Sequence, residues 1–114
     1  MVSYYCIERS MLSETKYEKQ ISRSEAISLT QKACEEFNLP VPKIIFRGKK
    51  FSQFTSPPDM ITYTTLDLRE VGDVAHEVAH YIQFSRDRKT RHNEKFLNEV
   101  IRVQGFLDRI ILNT

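Results

Sequence analysis

Apolar residues between positions 71 and 82 recur at the period of an α-helix. Val71, Val74, Ala75, Val78, Ala79 and Ile82 are spaced so that all fall in one stripe. Asp67, followed three residues later by Glu70, has the spacing of a capping box, which predicts a helix start near Leu68. At about 100° per residue, Asp73, His76, Glu77 and His80 fall on the side opposite the stripe. One face of this helix is expected to meet a core and the other to carry polar chemistry.

The flanking pattern predicts two more helices and a small sheet. Ser22-x-x-Glu25 is a second capping box and opens a helix to about Phe37, with Ile27, Thr30, Cys34 and Phe37 as its buried stripe and Ala26 and Ala33 beside it. Asn38 suits a left-handed cap, and Pro40 and Pro42 prevent continuation. Lys43–Arg47 and Lys50–Phe54 lie either side of Gly48-Lys49 and read as a β-hairpin. After Pro57-Pro58-Asp59, the β-branched run Met60–Thr65 reads as a third strand. Beyond a polar turn, Ser85–Arg91, a closing helix is marked by Phe96, Leu97, Val100, Ile101, Val103, Leu107, Ile110 and Ile111, with Gly105 a soft spot in it. Val2–Ile7 has the composition of a strand. Ser10–Gln20 has no clear period and reads as a short helix, a leader or an arm.

The expected architecture is α+β: a helix, a three-stranded sheet, the histidine helix and a closing helix. Residues 22–114 form the domain, and residues 1–21 a segment that arms or covers it. A chain of 114 residues suffices for one modest core. No apolar run approaches membrane-spanning length, and the basic-then-apolar order of a signal peptide is missing, so the expectation is a cytoplasmic protein without a membrane partner. Net charge is only +2. Arg86, Arg88, Lys89 and Arg91 form a local cluster able to face nucleic acid or an acidic substrate, although charge runs in loops are usually just solvated. Cys6 and Cys34 do not form a Cys-x-x-Cys pair, and Cys34 sits at an apolar helical position as a small buried hydrophobe.

The chemistry lies in His76-Glu77-x-x-His80. Two imidazoles one helical turn apart can share a metal ion, and the intervening carboxylate lies close enough to accept a proton from a water that the ion acidifies. The chain has only three histidines, and the third, His92, follows soon after the helix. Glu99 competes with it as third ligand. Asn98-Glu99 resembles the Asn-Glu of thermolysin-like enzymes, but Val103 stands where their companion acid would be.

The motifs and their order resemble a minimal zincin metallopeptidase of the SprT-like and WLM group. There an HExxH helix precedes a third histidine in a His-Gly-x-x-Phe or His-Asp-x-x-Phe pattern, and here the segment reads His92-Asn93-Glu94-Lys95-Phe96. The resemblance implies a zincin-type fold and Zn2+ held by His76, His80 and His92. It also implies Glu77 as general base and a polypeptide substrate cleaved at a peptide bond. It further suggests Met60–Thr65 as an edge strand that holds substrate, and Tyr63 or an arginine of the polar turn as oxyanion donor. Asn93 departs mildly from the pattern. The 114 residues contain no Cys-rich ribbon, so the cleavage of DNA-crosslinked proteins by larger relatives is not transferred. Two other readings stand beside this one. The first is an ImmA/IrrE-like regulator with a glutamate ligand, whose Glu-x-Glu-Ala-Asn type of segment is missing here. The second is a non-catalytic binding domain stapled by zinc. Oligomeric state is not encoded in any pattern found.

Overall fold

The stripe through the histidine segment is one buried face of a long helix, with Val71, Val74, Ala75, Val78 and Ala79 fully enclosed. The computed structural model describes residues 4–12, 14–48, 51–65 and 69–112. Among them the order is α1 (Tyr4–Met11), a single 3-10 turn (Lys16–Glu18), α2 (Arg23–Glu36), β1 (Lys43–Arg47), β2 (Gln53–Thr55), β3 (Met60–Thr64), α3 (Val71–Asp87) and α4 (Glu94–Leu112). Four helices and a mixed three-stranded sheet make the fold α+β. No described helix is long and apolar enough to cross a membrane.

α3 starts at Val71, later than expected. The reciprocal cap is Glu70 with Asp73: the Glu70 amide donates to Asp73 Oδ2 at 2.8 Å, and the Asp73 amide donates to the Glu70 carbonyl at 3.0 Å. Asp67 and Leu68, the cap and start suggested by sequence, lie outside the described residues. The helix also ends later, because Arg88 takes the left-handed conformation (φ 57°) that terminates it. Ser85, Arg86 and Asp87 are therefore helical, and the turn is confined to residues 88–93.

α2 follows its capping box, with the Ser22 and Glu25 side chains each accepting the other's backbone amide. At its far end Asn38 has φ 59°, and the Leu39 and Asn38 amides return to the Cys34 and Glu35 carbonyls in a Schellman arrangement. The buried face differs from expectation by one position. Leu29 is enclosed with Ala26, Thr30, Ala33 and Cys34, whereas Ile27 is only half-buried.

The sheet order is β1-β3-β2, with β1 parallel and β2 antiparallel to β3. β1 and β2 are therefore not a hairpin. No glycine in the described chain has positive φ, so Gly48 does not supply the primed turn a tight β1–β2 connection needs. The hairpin is instead β2–β3, closed by residues 56–59, where Ser56 Oγ donates to Asp59 Oδ1 at 2.6 Å. β3 takes the centre because Ile61, Thr62, Tyr63 and Thr64 are buried on both faces. This removes it from the role of exposed edge.

Residues 4–11 are helical rather than extended. Glu8 and Leu12, one turn apart, both turn inward, and this tertiary contact outweighs the local strand composition. Leu12, Tyr17 and Ile21 join the main core, and residues 19–21 pair with 69–71 through Ile21 N–H to Arg69 O (3.1 Å) and Val71 N–H to Lys19 O (2.9 Å). The described part of segment 1–21 thus contributes side chains to the core and backbone pairing to the start of α3.

The close approach of Tyr17 to α3 depends on Gly72, where a Cβ would stand 2.7 Å from the tyrosine ring. Gly72→Ala is expected to destabilise the fold by about 1–3 kcal/mol through overpacking. Gly105→Ala, with only Arg109 Nη1 at 3.8 Å, should instead stabilise α4 by up to ~1 kcal/mol. Urea unfolding of both variants checks the pair, and equal effects of one sign would contradict this packing.

Candidate metal centre

His76 and His80 project from α3 one turn apart, with ring centroids 4.8 Å from each other. His92 is brought to them by the reversal after Arg88. The Arg91 amide donates to Gln83 Oε1 at 2.7 Å, which ties the returning segment to α3. Asn93 then starts α4 by accepting the Phe96 amide on Oδ1 at 2.9 Å. Its departure from glycine or aspartate is therefore a working N-cap.

Phe96 forms the floor of the cluster. It is fully enclosed, stacks on the His80 ring (4.2 Å, 26° between planes) and meets His76 and His92 edge-on at 4.9 and 5.2 Å. The three Nε2 atoms converge above it: His92 lies 3.1 Å from His80 and 3.3 Å from His76. One ring proton shared among three inward-facing nitrogens cannot satisfy both contacts well. A cation at their focus can. The ligand atoms of the three residues all lie within 4.8 Å of one another and could hold one metal ion.

The local electrostatics favour neutral ligands at two positions. Burial, reinforced by the charges of His76 and His92, pushes the His80 pKa down to about 3, and burial followed by His76 lowers that of His92. His76 goes the other way. Burial lowers its pKa, but the hydrogen bond to Glu8 and the charges of Glu77, Glu8 and Asp73 together raise it. Glu77, only 2% exposed, is raised to about 7. Burial is the largest cause, opposed by His76 and by the Phe54 amide and reinforced by Asp73 and Glu8.

A cavity of about 180 Å3 opens over the cluster, lined by the three histidines, Glu77, Ser52, Gln53, Phe54 and Thr90. Glu77 Oε1, Ser52 Oγ and His80 Nδ1, all on residues that line it, are buried without a hydrogen-bond partner among the described residues. Such atoms are uncommon, and three at one cavity mark a place where a further molecule can supply a partner.

The structure brings together the three histidines and Glu77 named from the sequence, and sets Tyr63 and Glu99 apart from them. Tyr63 is in the core, fully enclosed, with its hydroxyl 2.7 Å from Thr30 Oγ1 and its ring on Phe46. Burial raises its pKa well above the usual phenol range. Glu99 lies outside the histidine group and receives Arg86 at 3.1 Å and Arg102 at 2.9 Å. Arg86 is in turn held by Asp87 and Glu99, and Arg88 lies over the Phe84 ring, so two members of the basic cluster are already engaged.

One group was missed altogether. Glu8 of α1 is fully buried beneath the cluster, with Oε1 and Oε2 at 3.0 and 3.1 Å from His76 Nδ1, and it also accepts the Tyr17 hydroxyl. Its only sequence signal is the i, i+4 pairing with Leu12 on one helical face. Nothing local indicates a contact across 68 positions. Comparison with family models, with curated proteins and with solved structures finds no match to this chain.

Tyr63→Phe is expected to cost about 1 kcal/mol in urea unfolding through loss of the Thr30 hydrogen bond, and to leave the cavity's chemistry unchanged. An undiminished stability with impaired ligand binding would return Tyr63 to the site.

Proposed function

We propose that this chain is a zinc-dependent metallopeptidase of the small SprT-like and WLM-like zincin type, cleaving peptide bonds in a polypeptide substrate. The supporting observation is the convergence of three histidine Nε2 atoms beside a buried carboxylate with a free oxygen. Nitrogens about 2.05 Å from a tetrahedral zinc ion stand about 3.3 Å apart. The two separations of 3.1 and 3.3 Å agree with that requirement, and the three ligand atoms all lie within 4.8 Å of one another. Among the described residues the ligand group comprises the three histidines, which favours a site with an open fourth position over a structural staple. Glu99, with its two arginine partners, gives the glutamate-liganded alternative no support.

His76, His80 and His92 would hold the zinc, which would supply Lewis acidity to a bound water and to the scissile carbonyl. Glu77, with Oε1 buried in the cavity beside them, is placed to accept the proton of the attacking water and return it to the leaving nitrogen. Phe96, packed against all three rings, and the Asn93 cap that starts its helix hold the imidazoles together.

The strand suited to hold an extended substrate is β2. It pairs only with β3 among the described strands, and Gln53 and Phe54 line the cavity. The Ser52 hydroxyl is the buried, unpartnered donor nearest that strand. A cytoplasmic site of action without a membrane partner belongs to the same proposal, with nucleic acid a weaker second partner through the basic residues of 86–91.

Glu77→Gln should retain about one zinc per chain by elemental analysis while losing peptidase activity on an unstructured protein by at least ~100-fold. Loss of zinc together with activity would make Glu77 a ligand, and unchanged activity would remove it as the base. His92→Ala should weaken zinc binding by ~10-fold or more, whereas Glu99→Ala should change it little, both read by chelator competition. The reverse pattern would transfer the third position to Glu99.

A further inference from the structure

We infer that Glu8 is a positioning residue of the metal centre: through its hydrogen bond to His76 Nδ1 it fixes which ring nitrogen faces the ion, and α1 is thereby part of the metal site. The inference rests on the zinc-site reading above and adds to it a residue from the far end of the chain.

The geometry leaves the Glu8 carboxyl with one purpose. It is 0% exposed, it lies on the Nδ1 side of His76, and that ring's Nε2 faces His92 Nε2 at 3.3 Å. A carboxylate accepts and cannot donate, so Nδ1 must carry the proton and Nε2 must present its lone pair. Tyr17 restrains the carboxylate from behind by donating its hydroxyl to Oε2. Gly72 permits this, since any larger residue there would displace the tyrosine ring.

Charge argues in the same direction. A divalent ion held by three neutral imidazoles leaves two positive charges in a buried site, and a carboxylate one ring away offsets part of them. Burying Glu8 for packing alone is hard to justify. Leu12 already anchors the same face of α1 in the core, and a buried acid is destabilising unless something uses it. α1 therefore carries two separable contributions: Leu12 for docking and Glu8 for the histidine.

The test compares zinc affinity, by chelator competition with zinc alone as the probe, with the melting temperature of the metal-free protein. Glu8→Gln keeps shape but removes the charge, and its amide can donate to Nδ1, which favours the tautomer with the proton on Nε2 and leaves no lone pair there for the ion. It is expected to weaken zinc binding by ~10- to 100-fold while the metal-free melting temperature stays level or rises. Leu12→Ala should do the opposite, lowering the melting temperature with zinc affinity nearly kept. If Glu8→Gln does not fold, Glu8→Asp, which withdraws the carboxylate by one methylene, should show the same selective loss of affinity. Zinc affinity unchanged in the folded variant would overturn the role of Glu8. A wild-type chain that binds no zinc would instead overturn the site itself.

Discussion

A helix that buries its polar face as well as its apolar one must find a partner for every polar group on it, and α3 is such a helix. His76, Glu77, His80 and Gln83 are as enclosed as the valines opposite them. The rest of the fold can be understood as the means of satisfying that face. α1 supplies Glu8 to His76, β2 supplies the Phe54 amide to Glu77, and the return segment ties Gln83 to the Arg91 amide. α4 enters at Asn93 and lays Phe96 under the rings. Among the described residues, Glu77 Oε1, Ser52 Oγ and His80 Nδ1 remain without a hydrogen-bond partner, and all three residues line the cavity over the cluster.

The same constraint explains what could be read from the sequence. Period and capping are local, so α2, α3 and α4 and the Asn38 cap were legible from residues close together in the chain. The three histidines were legible because there are no others. Sheet order was not, because Gly48 marks a break without specifying its geometry, and only burial on both faces puts β3 in the centre. The helical state of residues 4–11 was hidden for the same reason. Tyr4, Tyr5 and Ile7 favour a strand by composition, and only the pocket that receives Glu8 and Leu12 decides otherwise. Tyr63 looked available because alternation alone does not say whether the second face of a strand is covered.

Burial also sets the division of labour among similar groups. Glu77 and Glu99 are both carboxylates within reach of basic or imidazole groups, but Glu99 pairs with Arg86 and Arg102. Glu77 Oε1 has no hydrogen-bond partner among the described residues. Burial and the charge of His76 favour the neutral forms of His80 and His92, while His76 leans on a carboxylate. A single ion at the focus of the three would resolve the crowding of their nitrogens and balance the acids around them.

X-ray absorption at the zinc edge, recorded on the zinc-loaded chain, tests this directly. The predicted spectrum has three imidazole nitrogens at about 2.0–2.1 Å, one further light scatterer and no sulfur. A sulfur shell, fewer than three imidazoles, or no zinc retained by the folded protein would contradict it.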